Sequence, residues 1–224
     1  WLHDLHVRNG VEIRFGVSLD HFEGDDKLER AVMTDGIVTD CDIAVIGIGL
    51  TPNVELAQAA GLEVNDGIVV NEQGQTSHPD IYAAGDNANH PNALLGRRIR
   101  LESWENAQNQ AICAAKAMLG QENTYAEIPW FWSDQYDKTL QIAGLVPLDD
   151  VNVTMVSRPG KRGDGFSVWG YIDEKLKSVE AFSDPASFAI GKRFLSEELS
   201  PASSEIMDPS IDLKTIFKRC HAKV

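Results

Sequence analysis

The sequence predicts an α/β chain that gives way, after residue 124, to an α+β module. Three observations carry that prediction. Two compact apolar runs, Asp42–Ile46 and Ile81–Ala84, each end in a glycine turn, as strands buried in a parallel sheet do. From Ser103 to about Leu119 the apolar residues recur every three and four positions, the period of a helix. Beyond the polar linker Gln121–Glu127 the period shortens to two, and several strand patterns follow one another.

Each element follows from its own residues. Trp1–Asn9 reads as the end of a helix, with Trp1, Leu2 and Leu5 on its apolar side and Gly10 as its stop. Val11–Phe15 alternates as a strand should. Two short strands are expected around Thr34-Asp35-Gly36, because Asp-Gly favours a tight hairpin turn. Asp42–Ile46 then runs into Gly47-Ile48-Gly49. A short helix is expected between Pro52 and Gly61, and Gly67 introduces a strand over Ile68–Val70. Ile81–Ala84 delivers Gly85-Asp86. In the long helix Ser103 is a natural N-cap, and Glu105 places a negative charge in the first turn. Trp104, Ala107, Ala111, Ala114, Ala115 and Met118 form its apolar face, and Gly120 closes it. In the last part, strands are expected at Leu140–Leu145, Val151–Val156, Gly165–Ile172 and Leu176–Phe182. Helices are expected at Ala186–Leu195 and Leu213–Lys218, with an exposed connection over Ser200–Ser210.

Composition narrows the function. The 224 residues carry a formal net charge of −14, which argues against nucleic acid or an anionic membrane as a general partner. No apolar run approaches the ~20 residues of a membrane span. The N-terminus has no signal-peptide layout and no methionine, so the chain is expected to start inside a longer one. Cys41, Cys113 and Cys220 are far apart and form no CxxC pair, a usage that suits a reducing cytoplasm. The six histidines show no metal-ligand spacing, and no metal site is expected.

The stretch Thr76–Asp86 carries the most chemistry. Ligands of open α/β sheets bind beyond the C-terminal ends of strands. Gly85 lacks a Cβ and would allow a cofactor close to the backbone. Asp86 suits a sugar or polyol hydroxyl, and would repel a phosphate. On these residues alone, a strand followed by an Asp-capped turn explains the pattern better.

The wider pattern, however, resembles the pyridine-nucleotide–flavin reductases. The Tyr82-Ala83-Ala84-Gly85-Asp86 segment and Gly47-Ile48-Gly49-Leu50-Thr51-Pro52-Asn53 carry that likeness. Leu101-Glu102-Ser103-Trp104-Glu105-Asn106-Ala107 and Pro129-Trp130-Phe131-Trp132-Ser133-Asp134-Gln135-Tyr136 narrow it to the NADH-dependent ferredoxin reductases of bacterial oxygenase systems. The resemblance runs from about residue 10 to 218. It implies incomplete Rossmann-like FAD- and NAD-binding domains: residues 1–46 the end of an NAD domain, 47–124 a returning FAD segment, and 125–224 an α+β C-terminal domain. It also implies FAD and NADH as cofactors and a [2Fe–2S] ferredoxin as partner.

Roles follow by the same resemblance. Asp86 would bind a ribityl hydroxyl, and the helix starting at Ser103–Trp104 would aim its positive end at the flavin. Glu102 would accept a hydrogen bond from the nicotinamide carboxamide; otherwise it is an exposed carboxylate before a helix. Gly47 and Gly49 either allow close nicotinamide approach or merely end a strand. Trp130 and Trp132 would face one side of an extended segment, shielding the flavin or lying on an electron route, unless both are core aromatics. Arg97, Arg98 and Arg100, with Lys192 and Arg193, are candidate docking cations or simply a solvated face. The GxGxxG loops that would hold the dinucleotide phosphates do not occur in this sequence. This chain alone is therefore expected to bind FAD weakly or not at all. The alternatives on the same scaffold are an NADH oxidase or peroxidase, a monodehydroascorbate-type or disulfide reductase, and a non-enzymatic apoptosis-inducing-factor-like flavoprotein.

Overall fold

A computed structural model describes residues 1–147, 151–161 and 163–222. The chain divides into two compact units, Trp1–Thr51 and Pro52–Val224.

In the first unit, helix α1 (Leu2–Arg8) ends as the sequence predicts, with Gly10 at φ +84°. Strands β1 (Leu19–Glu23), β2 (Arg30–Met33) and β3 (Val38–Asp40) form an antiparallel sheet in the order β1-β2-β3. The β2–β3 turn is the expected Asp-Gly turn: the Ile37 amide donates to the Asp35 carboxylate at 3.0 Å, and Gly36 takes φ +84°. Two expected strands do not form. Val11–Phe15 is irregular, with Phe15 76% exposed. Asp42–Ile46 is likewise not a strand, and Val45 is 94% exposed. Apolar character makes a strand only where another strand pairs with it, and among the described residues none pairs with either run.

The second unit opens with helix α2 (Glu55–Ala59) and strand β4 (Ile68–Val69). Strand β4 pairs in parallel with β5 (Ala88–Asn92), which turns back antiparallel into β6 (Arg97–Arg100). The expected buried strand at Ile81–Ala84 is instead an extended segment with a single bridge, Gln75↔Tyr82. Its other main-chain ties are Ala83 N–H to Gly74, Thr76 N–H to Ile81 and Ile81 N–H to His78. Helix α3 (Trp104–Met118) keeps its predicted span and cap, the Ser103 Oγ accepting the Asn106 amide at 3.2 Å.

Its buried face differs from the apolar one. Asn106, Gln110, Cys113 and Ala114 are buried, whereas Trp104, Ala111, Ala115 and Met118 are exposed. Hydrogen bonding explains the inversion, because each buried amide oxygen has a donor inside. The Gln110 Oε1 accepts the Gly85 amide at 2.7 Å, and the Asn106 Oδ1 accepts the Tyr125 hydroxyl at 2.7 Å.

The α+β module follows the sequence closely. Strands β7 (Trp130–Gln135), β8 (Lys138–Gly144), β9 (Val153–Pro159), β10 (Phe166–Ile172) and β11 (Lys175–Phe182) form an antiparallel sheet in the order β7-β8-β11-β10-β9. Helices α4 (Pro185–Ser196), α5 (Ser203–Met207) and α6 (Leu213–His221) complete it. Trp169, Val179, Phe194, Ile206, Ile216 and Phe217 make its core. The Ser200–Ser210 connection is not wholly exposed, since it contains α5 and seals Ile206 completely. A buried Arg158 holds it there: Nη1 donates to the carbonyls of Ile206 and Asp208, both at 2.8 Å, and Nη2 to that of Ile211 at 2.6 Å. Among the described residues no helix is long and apolar enough to cross a membrane.

Candidate functional site

The site assembles in the second unit where three segments meet: the Gly85-Asp86 turn, the Arg100–Ser103 approach to α3, and the first turn of that helix. Gly85 takes φ +83°, a left-handed conformation that side chains disfavour. A Cβ there would lie 3.4 Å from that of Ala107, so the glycine face is turned toward α3. The Ala88 amide closes the turn on the Gly85 carbonyl at 2.9 Å. The Asp86 side chain is solvent-exposed; its carbonyl is anchored instead, accepting from Arg100 Nη1 at 3.2 Å. Of the two features expected around a flavin, α3 does meet Gly85 near its start, while Asp86 faces solvent in this chain.

Glu102 is exposed but committed, its Oε1 accepting from Arg100 Nη1 at 2.6 Å. That bond and the Asp66 carboxylate raise the Arg100 pKa. Ser103 supplies its hydroxyl to the Asn106 amide, while no acceptor among the described residues meets the amides of Trp104 and Glu105. Those amides carry the positive end of the helix dipole. The Trp104 indole beside them is 70% exposed.

A second cluster surrounds Trp130. Because β7 is extended, Trp130 and Trp132 do share a side, and their rings stack at 5.6 Å between centroids. Phe188 packs 5.7 Å from Trp130, and the Lys192 ammonium lies 4.6 Å from the centre of the same ring. Trp130 is half-buried against the core, and Trp132 is 48% exposed. The buried Trp130 N–H lacks an aligned hydrogen bond, although Glu105 interacts with it. Burial raises the Glu105 pKa, with the Trp130 N–H and Lys192 opposing that shift. Ser133 to Tyr136 order the β7–β8 turn: Gln135 donates to Ser133 at 2.8 Å, the Thr139 hydroxyl donates to Asp134 at 2.8 Å, and Tyr136 takes φ +59°.

Gly47 and Gly49 belong to the first unit, and among the described residues nothing approaches their Cβ positions within 4 Å. Among the candidate docking cations, Arg97 is exposed on β6. Arg98 is tied to the carbonyls of Val70 and Asn89 and to the Asn89 Oδ1. Arg193 pairs with Glu197 at 3.2 Å and lies over the Phe217 ring.

Sequence patterning missed Asn106, Gln110 and Tyr125, which fix the turn and helix from inside. The available signal was the four-residue spacing of Asn106 and Gln110 on one helical face.

Residues 1–111 match the family "Pyridine nucleotide-disulphide oxidoreductase", and residues 130–217 match "Reductase C-terminal". The chain belongs to the pyridine nucleotide-disulphide oxidoreductase family. It is 38% identical, over 97% of its length and 53% of the relative's, to the ferredoxin–NAD(+) reductase component of the anthranilate 1,2-dioxygenase system of Burkholderia cepacia. It is 35% identical to putidaredoxin reductase CamA of Pseudomonas putida, over 98% of this chain and 52% of that one. A crystal structure of the covalent putidaredoxin reductase–putidaredoxin complex superposes with a TM-score of 0.91 at 35% identity, covering 98% of this chain and 53% of that one. The chain thus spans about half the length of the curated relatives it matches.

The residues present fit one end of a flavin. Two uncommitted helix amides suit the negative charge that a reduced flavin carries at N1/O2, and an uncommitted carboxylate suits a polyol. The glycine loops that would hold dinucleotide phosphates are not in this sequence.

Proposed function

We propose that this chain is the C-terminal part of a cytoplasmic FAD-dependent reductase that passes electrons from NADH to a [2Fe–2S] ferredoxin serving an oxygenase. The observation that carries the reading is the run Trp130 to Tyr136, laid along β7 with its two indoles stacked. It occurs in a chain whose relatives are named ferredoxin–NAD(+) reductases at 31–38% identity. The division into 1–46, 47–124 and 125–224 belongs to the same reading.

Bound FAD would supply the exchange between a two-electron donor and a one-electron acceptor. The chain's own residues would do the rest. Asp86 holds a polyol hydroxyl, and the Trp104 and Glu105 amides favour negative charge at the ring. Glu102 orients the nicotinamide carboxamide. In the first unit, Gly47 and Gly49 leave their own backbone open to close approach. Trp130 and Trp132 cover the site and lie on the route out, with Trp132 the more exposed. Hydride transfer itself needs no acid–base residue from this chain. Arg97 and Lys192 are the cations best placed to greet an acidic ferredoxin, and Arg98, Arg100 and Arg193 contribute field more than contact.

Stopped-flow reduction of the full-length flavoprotein by NADH, with and without a [2Fe–2S] ferredoxin, tests the reading. Rapid ferredoxin reduction is expected. Electrons passing only to oxygen or to a disulfide would defeat it.

A further inference from the structure

Arg100 is a candidate docking cation, yet its side chain is only 10% exposed and its donors are taken by groups of its own unit. Nη1 donates to the Asp86 carbonyl and to Glu102, while Nε and Nη2 both lie 3.2 Å from one Asp66 oxygen. Three separate segments therefore end on one guanidinium. The fold makes space for it. At Gly67, φ is +114° and a Cβ would stand 2.9 Å from Arg100 Cδ and 2.7 Å from the Asn87 carbonyl. That same carbonyl accepts the Ile68 amide at 2.7 Å, which draws the 66–68 and 86–88 backbones together at this point.

We propose that Arg100 is a positioning residue that couples the Asp86 turn to Glu102, so that the two move as one unit. A planar fork with five N–H donors serves three acceptors at fixed angles; a lysine ammonium on a flexible stem does not. The Asp86 contact is made through its carbonyl, so the arrangement sets the direction of the turn while leaving the carboxylate uncommitted. Glu102 is correspondingly held at the approach to α3, two residues before the first free helix amide. The coupling stands on geometry alone; its bearing on hydride transfer rests on the function proposed above.

Amide hydrogen exchange in the full chain reads the coupling directly. The Ala88 amide reports the Asp86 turn, because it closes on the Gly85 carbonyl. Glu102→Gln is expected to speed Ala88 exchange about fivefold when Arg100 is present and to leave it unchanged in Arg100→Met, the signature of a linked pair. Arg100→Lys should behave like Arg100→Met at Ala88 despite keeping its charge. Equal effects of Glu102→Gln in both backgrounds, or full rescue by lysine, would overturn the proposal. A second arm separates it from the reading it rests on. In the intact FAD-loaded protein, Arg100→Lys, which keeps the charge but not the fork, should slow flavin reduction by NADH about tenfold at saturating NADH while leaving ferredoxin reduction by the reduced protein unchanged. If the exchange coupling holds and flavin reduction is indifferent, the coupling stands and the assignment of Asp86 and Glu102 to a hydride site fails.

Discussion

Two parts of the second unit bury their side chains in opposite ways. The sheet module closes over Trp169, Val179, Phe194, Ile206 and Ile216, whereas the region from 88 to 110 closes over Asn89, His90, Asn92, Asn106 and Gln110. An apolar core gains from removal of surface from water, without directional demands. A polar interior gains little net stability and instead fixes orientation, because each amide must meet a particular partner. Here the polar interior lies beside the site, with Gln110 holding Gly85 and Asn106 holding both Tyr125 and the Leu101 carbonyl. One region makes the fold durable and the other aims it.

The sharpest way to break that contrast is to truncate each interior in turn. Phe194→Ala, in the apolar core, should cost about 3–5 kcal/mol, read from the urea midpoint by far-UV circular dichroism. Gln110→Leu should cost about 1–3 kcal/mol, because it orphans the Gly85 amide. Gln110→Glu keeps the acceptor, so it should recover much of that loss in the same melt. A Gln110→Leu cost matching that of Phe194→Ala would mean that the polar interior also carries the fold. Smaller still, Ser103→Ala removes the α3 cap and should cost about 1 kcal/mol, with faster exchange confined to the first turn of that helix.

The finest test uses pH. His90 is buried with neither ring nitrogen in an aligned hydrogen bond, and burial pushes its pKa below 6.5, the Ala88 backbone opposing that shift and Arg98 adding to it. The unfolded chain then binds more protons than the folded one, so stability rises with pH. Its contribution is intact above pH 6.5, is lost as pH falls through that value, and levels off once the depressed folded value is passed. His90→Phe should flatten this part of a pH series of urea midpoints. An unchanged slope would place the pH dependence elsewhere.

The apolar module was the more legible part of the sequence. Its strands at 140–145, 165–172 and 176–182 and its helix at 186–195 appear within a few residues, because alternation and helical period follow burial inside one module. Around the site, patterning served less well. Helix α3 was found, but its inward face was assigned to alanines when Asn106 and Gln110 take it through hydrogen bonds that hydrophobicity does not register. Strand β5 was missed because Ala-Asn-His-Pro-Asn has poor strand propensity and is held by pairing with β4 and β6. The runs at 42–46 and 81–84 erred the other way: apolar content was read as a buried strand where no ladder forms. Val45→Ala should accordingly change stability by less than about 0.5 kcal/mol. The motifs themselves were legible from residue identity, independent of packing.

Arg158 gathers main-chain oxygens alone, from Ile206, Asp208 and Ile211. Apart from the Asp208 carboxylate, which accepts the Ser210 amide and hydroxyl, side chains along that connector are thereby released from the task of holding it, and the exposed Met207 and Pro209 are open to drift. Its length is not. Inserting or deleting one residue between Ile206 and Ile211 would carry a carbonyl off the guanidinium, so this loop should tolerate altered spelling far better than an altered count.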